Sequence, residues 1–130
     1  MDTSTVGDER LRTQIDRFVA AYNAQDFAAL GELLGPQARY QHHGQQFSAG
    51  DKQELLALME QIAAGFPDRR FAEVRRVLPS GSHVVLEAVW TGTAAADMPG
   101  FASAGDVARL ECCGIFAFDG EQIVAWDDFG

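Results

Sequence analysis

The chain has 130 residues, a formal net charge of −9 at pH 7, 47% hydrophobic residues and 22% charged ones. One core of this size buries roughly two-thirds of the surface that the unfolded chain exposes, so a single domain suffices, and the apolar runs are too short to span a bilayer. The acidic balance excludes a phosphate track, which needs clustered Lys and Arg; Arg69, Arg70, Arg75 and Arg76 are interrupted by Phe71, Ala72, Glu73 and Val74 and read as a solvated strand edge.

Residues 1–7 are polar and lack the basic start and apolar stretch of a secretion signal. They read as a loose tail before one domain over residues 8–130, with the cytoplasm as the expected compartment. Over residues 8–23, Leu11, Ile15, Phe18, Val19 and Tyr22 recur at helical spacing, which predicts an amphipathic helix. Asp26 caps a second short helix through Phe27, Leu30, Leu33 and Leu34, closed by Gly35-Pro36. Residues 38–43 form a short strand and residues 44–50 a polar loop. Asp51 then opens a third helix, with Glu54 placed as in a capping box and Leu55, Leu58, Met59, Ile62 and Phe66 on one face, ended by Pro67.

Beyond Pro67 the period changes to two. Residues 70–78, 83–93, 107–118 and 122–129 read as strands, separated by Pro79-Ser80-Gly81, by a long connection over 94–106 and by Asp119-Gly120. The pattern is α+β: three N-terminal helices packed on a curved antiparallel sheet. Such a sheet leaves a pocket, and residues 94–106 are either its mouth or a hairpin tip without a role.

The last strand carries Trp126 and Asp128 on one face and Asp127 on the other, because side chains alternate across a pleat. Cys112 and Cys113 face opposite sides of their strand and read as reduced. Adjacent His42 and His43 diverge for the same reason, so no metal site is expected.

Several segments together resemble the SnoaL-like polyketide cyclase group of the nuclear transport factor 2-like superfamily, which also holds ketosteroid isomerase and limonene-epoxide hydrolase. They are Phe18 to Phe27, Gly65 to Phe71, Trp90-Thr91-Gly92-Thr93, Gly114 to Gly120 and Trp126-Asp127. The resemblance implies a cone-shaped α+β barrel around an apolar cavity and a homodimer formed through the outer sheet face; no cofactor is expected.

The resemblance also directs attention to particular positions. The catalytic residues of ketosteroid isomerase fall near Phe18, His42 and Gly114 and are not retained. Tyr40-Gln41-His42 and Trp126-Asp127-Asp128 are similar to the water-positioning and base segments of limonene-epoxide hydrolase, but its acid partners fall at Ala88 and Trp90, so an epoxide oxygen would lack a proton donor. The cyclases place an acid–base aspartate on the last strand, which implies Asp128, with Asp127 one residue away as the alternative. His42 and Tyr40 then stand as its partners, and Phe18, Trp90, Phe116 and Trp126 as substrate-binding walls. The expected ligand is a small apolar organic molecule, with no nucleic acid or membrane partner. Either the chain carries out acid–base cyclisation or isomerisation of a carbonyl compound, or it sequesters such a molecule without converting it.

Overall fold

Helix α1 (Thr3–Ala24) forms where the apolar stripe falls: Leu11, Ile15, Phe18 and Tyr22 are all buried. In the computed structural model, which describes residues 3–45 and 47–130, this helix starts earlier than the stripe requires. Residues 3–7 are therefore helical rather than a loose tail, and Met1 and Asp2 lie outside the described residues. Asp26 caps α2 (Phe27–Leu33) by accepting the Ala29 N–H at 3.1 Å.

Gly35 and Pro36 do not close that helix; they lie inside strand β1 (Leu34–His42), beside Ile123 and Val124 of the last strand. Proline has no N–H to give a ladder, and Pro36 sits where the pairing register slips between Leu34 and Arg39, so no bond is lost there. Phe47–Ala49, expected within a polar loop, forms a short β2 antiparallel to β1, with Tyr40 opposite Ala49 and His42 opposite Phe47.

Helix α3 (Lys52–Gly65) follows these strands, so the three helices are not consecutive at the N-terminus. Asp51 accepts the Glu54 N–H at 2.9 Å, and the Glu54 carboxylate reaches back to the Gly50 N–H at 2.6 Å, a capping box shifted by one residue. Strands β3 (Arg70–Ser80), β4 (His83–Thr93), β5 (Val107–Asp119) and β6 (Gln122–Phe129) complete a six-stranded sheet in the order β2-β1-β6-β5-β4-β3. Pro79 is tolerated because β3 is an edge strand. Gly120, at φ 61°, makes the tight turn into β6.

The sheet is mixed and not wholly antiparallel: β1 runs parallel to β6. A parallel pair needs a long crossover, and here everything from β2 to β5 serves as one. All three helices lie against this sheet, α1 over β3 and β4 and α3 over β1 and β2.

Candidate functional site

Parallel pairing of β1 with β6 sets Tyr40 beside Trp126 and His42 beside Asp128. Paired residues in a ladder share a face, so the four side chains predicted at this end of the molecule converge. The Tyr40 and Trp126 rings lie 4.6 Å apart, and the Tyr40 hydroxyl donates to Asp128 Oδ2 at 3.3 Å. His42 Nε2 stands 3.8 Å from the same oxygen, too far for a direct hydrogen bond but close enough for a ligand oxygen to bridge.

The next turn of chain fixes the state of His42. Its Nδ1 accepts the Gly44 N–H at 3.1 Å and the Gln45 N–H at 3.0 Å. A nitrogen that accepts two backbone donors has no room for a proton, so the ring is the neutral tautomer with its hydrogen on Nε2, facing Asp128. Burial, followed by repulsion from His43, lowers the His42 pKa in agreement. His42 and Asp128 are thus a donor and an acid or base, not an ion pair.

Burial also dominates Asp128, whose side chain is 13% exposed and whose pKa is pushed up to about 6, against the opposing pull of the Tyr40 hydroxyl, the Phe129 N–H and the His43 charge. Asp127 faces the other way. It pairs with Arg39 at 3.3 Å and with His43 Nε2 at 3.0 Å, and His43 stacks on Phe129 at 4.4 Å. The Tyr40 pKa is raised, chiefly by burial, so this residue stays a phenol.

These groups open into a pocket of about 680 Å³ whose lining is mainly apolar. Leu55, Leu58, Met59 and Ile62 enter from along α3 and Phe66 from its C-cap, Leu110 and Cys112 from β5, and Met98, Pro99, Gly100 and Phe101 from the 94–106 connection, which therefore does border the site. Burial pushes the Cys112 thiol up to about 12, so it is a wall and not a nucleophile. Trp90 and Trp126 line the pocket.

Phe18 and Phe116 do not line the main pocket. Both are wholly buried behind Trp126, with ring centroids 5.2 Å and 5.1 Å from it, because helix α1 covers that stretch of the sheet. Phe116 borders only a narrow recess beyond it, beside Gly114. The indole N–H of Trp126 is buried without a hydrogen-bond partner.

Sequence reasoning missed a polar pair here, Tyr22 on the pocket wall and Arg69 beneath it. Tyr22 lines the pocket, and its hydroxyl oxygen accepts the Trp90 Nε1–H at 2.9 Å. Arg69, assigned above to a solvated edge, is 1% exposed and lies under Tyr22, with its guanidinium carbon 3.7 Å from the ring centroid. It turns inward because the Pro67-Asp68 corner points outward: Asp68 grips the Thr93 N–H and hydroxyl, each at 2.7 Å. The available signal for Tyr22 was chemical, since a tyrosine inside an apolar stripe must place its hydroxyl somewhere. Arg70, Arg75 and Arg76 are exposed, with Arg75 reaching Glu111 and Arg76 reaching Glu87.

Among the described residues no group of three or more His, Cys, Asp or Glu gathers as a metal site would require, and no helix is long and apolar enough to cross a membrane.

All three helices pack on the mixed sheet, and the apolar pocket beside them carries one largely buried carboxylate, Asp128. Residues 15–126 match the profile of the SnoaL-like domain, and the chain belongs to that family. The fold is shared with a proposed polyketide cyclase from Xanthomonas campestris at 15% identity, covering 94% of this chain and 90% of that one with a TM-score of 0.83. It is also shared with a Catenulispora acidiphila protein of ketosteroid isomerase-like fold, solved with trimethylamine, at 18% identity, 90% and 84% coverage and a TM-score of 0.75. An epoxide hydrolase of the limonene-epoxide hydrolase type from M. tuberculosis aligns at 20% identity, over 93% of this chain and 81% of that one, with a TM-score of 0.70. Comparison with curated protein sequences finds no match.

Proposed function

We propose that the pocket binds a small, mostly apolar carbonyl compound and that Asp128 removes a proton from the carbon beside the carbonyl, leading to cyclisation or isomerisation. The observation that carries this reading is Asp128 itself: a carboxylate on an apolar pocket wall, with a pKa raised to about 6 by burial and one oxygen held by Tyr40. A base of that strength is ionised at neutral pH yet binds a proton more readily than an exposed carboxylate does.

In the proposed step the C–H bond breaks, the proton passes to Asp128, and the electron pair moves into the carbonyl to give an enolate. In a cyclisation the enolate carbon then bonds to a second carbonyl carbon of the same molecule, and the new alkoxide takes its proton from Asp128. In an isomerisation the proton returns to a different carbon. Tyr40 orients the carboxylate, and the neutral His42 Nε2–H is a donor for a ligand oxygen near it. Neither route needs a cofactor.

The rival reading, sequestration without conversion, would suit an exposed Asp128 and a filled interior; the buried carboxylate and the open pocket favour catalysis. The test is exchange of the α-protons of 1-tetralone in D₂O, followed by NMR. The wild type accelerates exchange, and Asp128→Asn lowers the rate by about 10²–10⁴-fold, the usual worth of a general base. Equal rates in both proteins would leave only binding.

A further inference from the structure

The hydroxyl of Tyr22 has a half-used capacity. Its oxygen accepts the Trp90 indole N–H at 2.9 Å, while its own proton finds no acceptor among the described residues. Tyr22 is 4% exposed and lines the same pocket as Asp128, so this is a buried donor beside a space large enough for a ligand. Leaving such a donor unpaired is costly, and a ligand oxygen there would relieve it.

The surroundings of the ring point the same way. The Arg69 guanidinium sits 3.7 Å from the ring centroid and donates from Nη1 to the Tyr22 carbonyl at 2.8 Å. No carboxylate pairs with it among the described residues, and its Nε and Nη2 have no partner. A cation buried without a counter-charge favours negative charge developing nearby, in this case on the phenol and on any oxygen the phenol touches. Burial nonetheless outweighs the pull of Arg69, and the Tyr22 pKa is raised, so the group remains an O–H donor at neutral pH.

We propose that Tyr22 is a catalytic residue that donates its hydrogen bond to the carbonyl oxygen of the ligand, with Trp90 and Arg69 as positioning residues that polarise it. Trp90 N–H to Tyr22 oxygen and Tyr22 O–H to ligand oxygen form a chain in which each bond strengthens the next. As Asp128 takes the α-proton, the electron pair runs toward an oxygen held at Tyr22, and the enolate charge forms close to Arg69. The inference rests on the carbonyl reading of the pocket. It supplies the electrophilic partner that Phe18 and Gly114 cannot provide, from one helical turn beyond Phe18.

The test compares 2-acetylnaphthalene with 2-ethylnaphthalene, which is similar in size but has no acceptor. Binding is read from the fluorescence of the chain's two tryptophans, both of which line the pocket. The wild type binds the ketone about tenfold more tightly, the worth of one buried hydrogen bond. Tyr22→Phe, which keeps the ring over Arg69, erases that preference and leaves hydrocarbon binding unchanged. A readout that needs no change at Tyr22 comes from ¹³Cζ-labelled tyrosine: the chain has two tyrosines, and Tyr40→Phe assigns their signals. The ketone moves the Tyr22 signal and the hydrocarbon does not. Equal binding of both probes with an unmoved Tyr22 signal overturns the role of Tyr22 and leaves the pocket reading standing. A ketone preference that survives Tyr22→Phe also overturns it. If neither probe binds, the pocket reading falls and this inference falls with it.

Discussion

Asp128 is a carboxylate held where its charge is disfavoured, and that has a measurable effect on stability. Its pKa rises from an ordinary 3.8 to about 6, so between these values the folded chain holds a proton that the unfolded chain has released. The contribution is fully present below the unfolded value and is lost as pH rises through about 6. Asp128→Asn is therefore expected to be more stable than the wild type at pH 8, by about 1–3 kcal/mol, with the gap closing toward pH 4; urea denaturation across pH measures it. A gap that does not vary with pH would contradict the burial. At this scale the sequence was informative where alternation decides: once 122–129 is a strand, Trp126 and Asp128 must share a face, and the same rule separates His42 from His43. Its signal at Tyr22 was weak and at Arg69 absent. A tyrosine in an apolar stripe and an arginine in a basic run each look ordinary until packing turns one toward a pocket and buries the other beneath it.

Among the elements, the hairpins and the third helix follow from local chemistry, including the Asp51 cap and the glycine at the 119–122 turn. What periodicity cannot supply is which strands become neighbours. The site exists because β1 lies parallel to β6, and nothing in either segment alone specifies a partner more than 80 residues away, as the separation of 88 between Tyr40 and Asp128 shows. The three-residue β2 is too short to show a period, and it forms because β1 offers an open edge. Close packing between elements also bears on the pocket wall. A Cβ on Gly92 of β4 would come within 2.9 Å of Phe66 Cβ and 3.0 Å of the Trp90 ring, both of which line the pocket. Gly92→Ala is expected to cost about 1–3 kcal/mol through overpacking, read as a lower thermal midpoint, and an unchanged midpoint would show that the wall yields freely.

For the whole molecule, the α+β class and the family were legible because several weak motifs occur in the right order along most of the chain. The mixed sheet was not, since strand direction depends on the crossover and not on composition. The family fixes the architecture, while the chemistry has to come from the site. We propose that the chain pairs through its outer sheet face, where Leu78 and Val107 are 48% and 71% exposed. Sedimentation at micromolar concentration is expected to show a dimer, and a monomer would refute this. The central claim is that Asp128 is a base acting inside the pocket. It is tested most directly by the pH dependence of kcat/KM for α-proton exchange of 1-tetralone. The account predicts a rise with unit slope that levels above about pH 6, the value set by burial of Asp128, and its disappearance in Asp128→Asn. A profile that is flat through pH 6, or one that the variant reproduces, would contradict it.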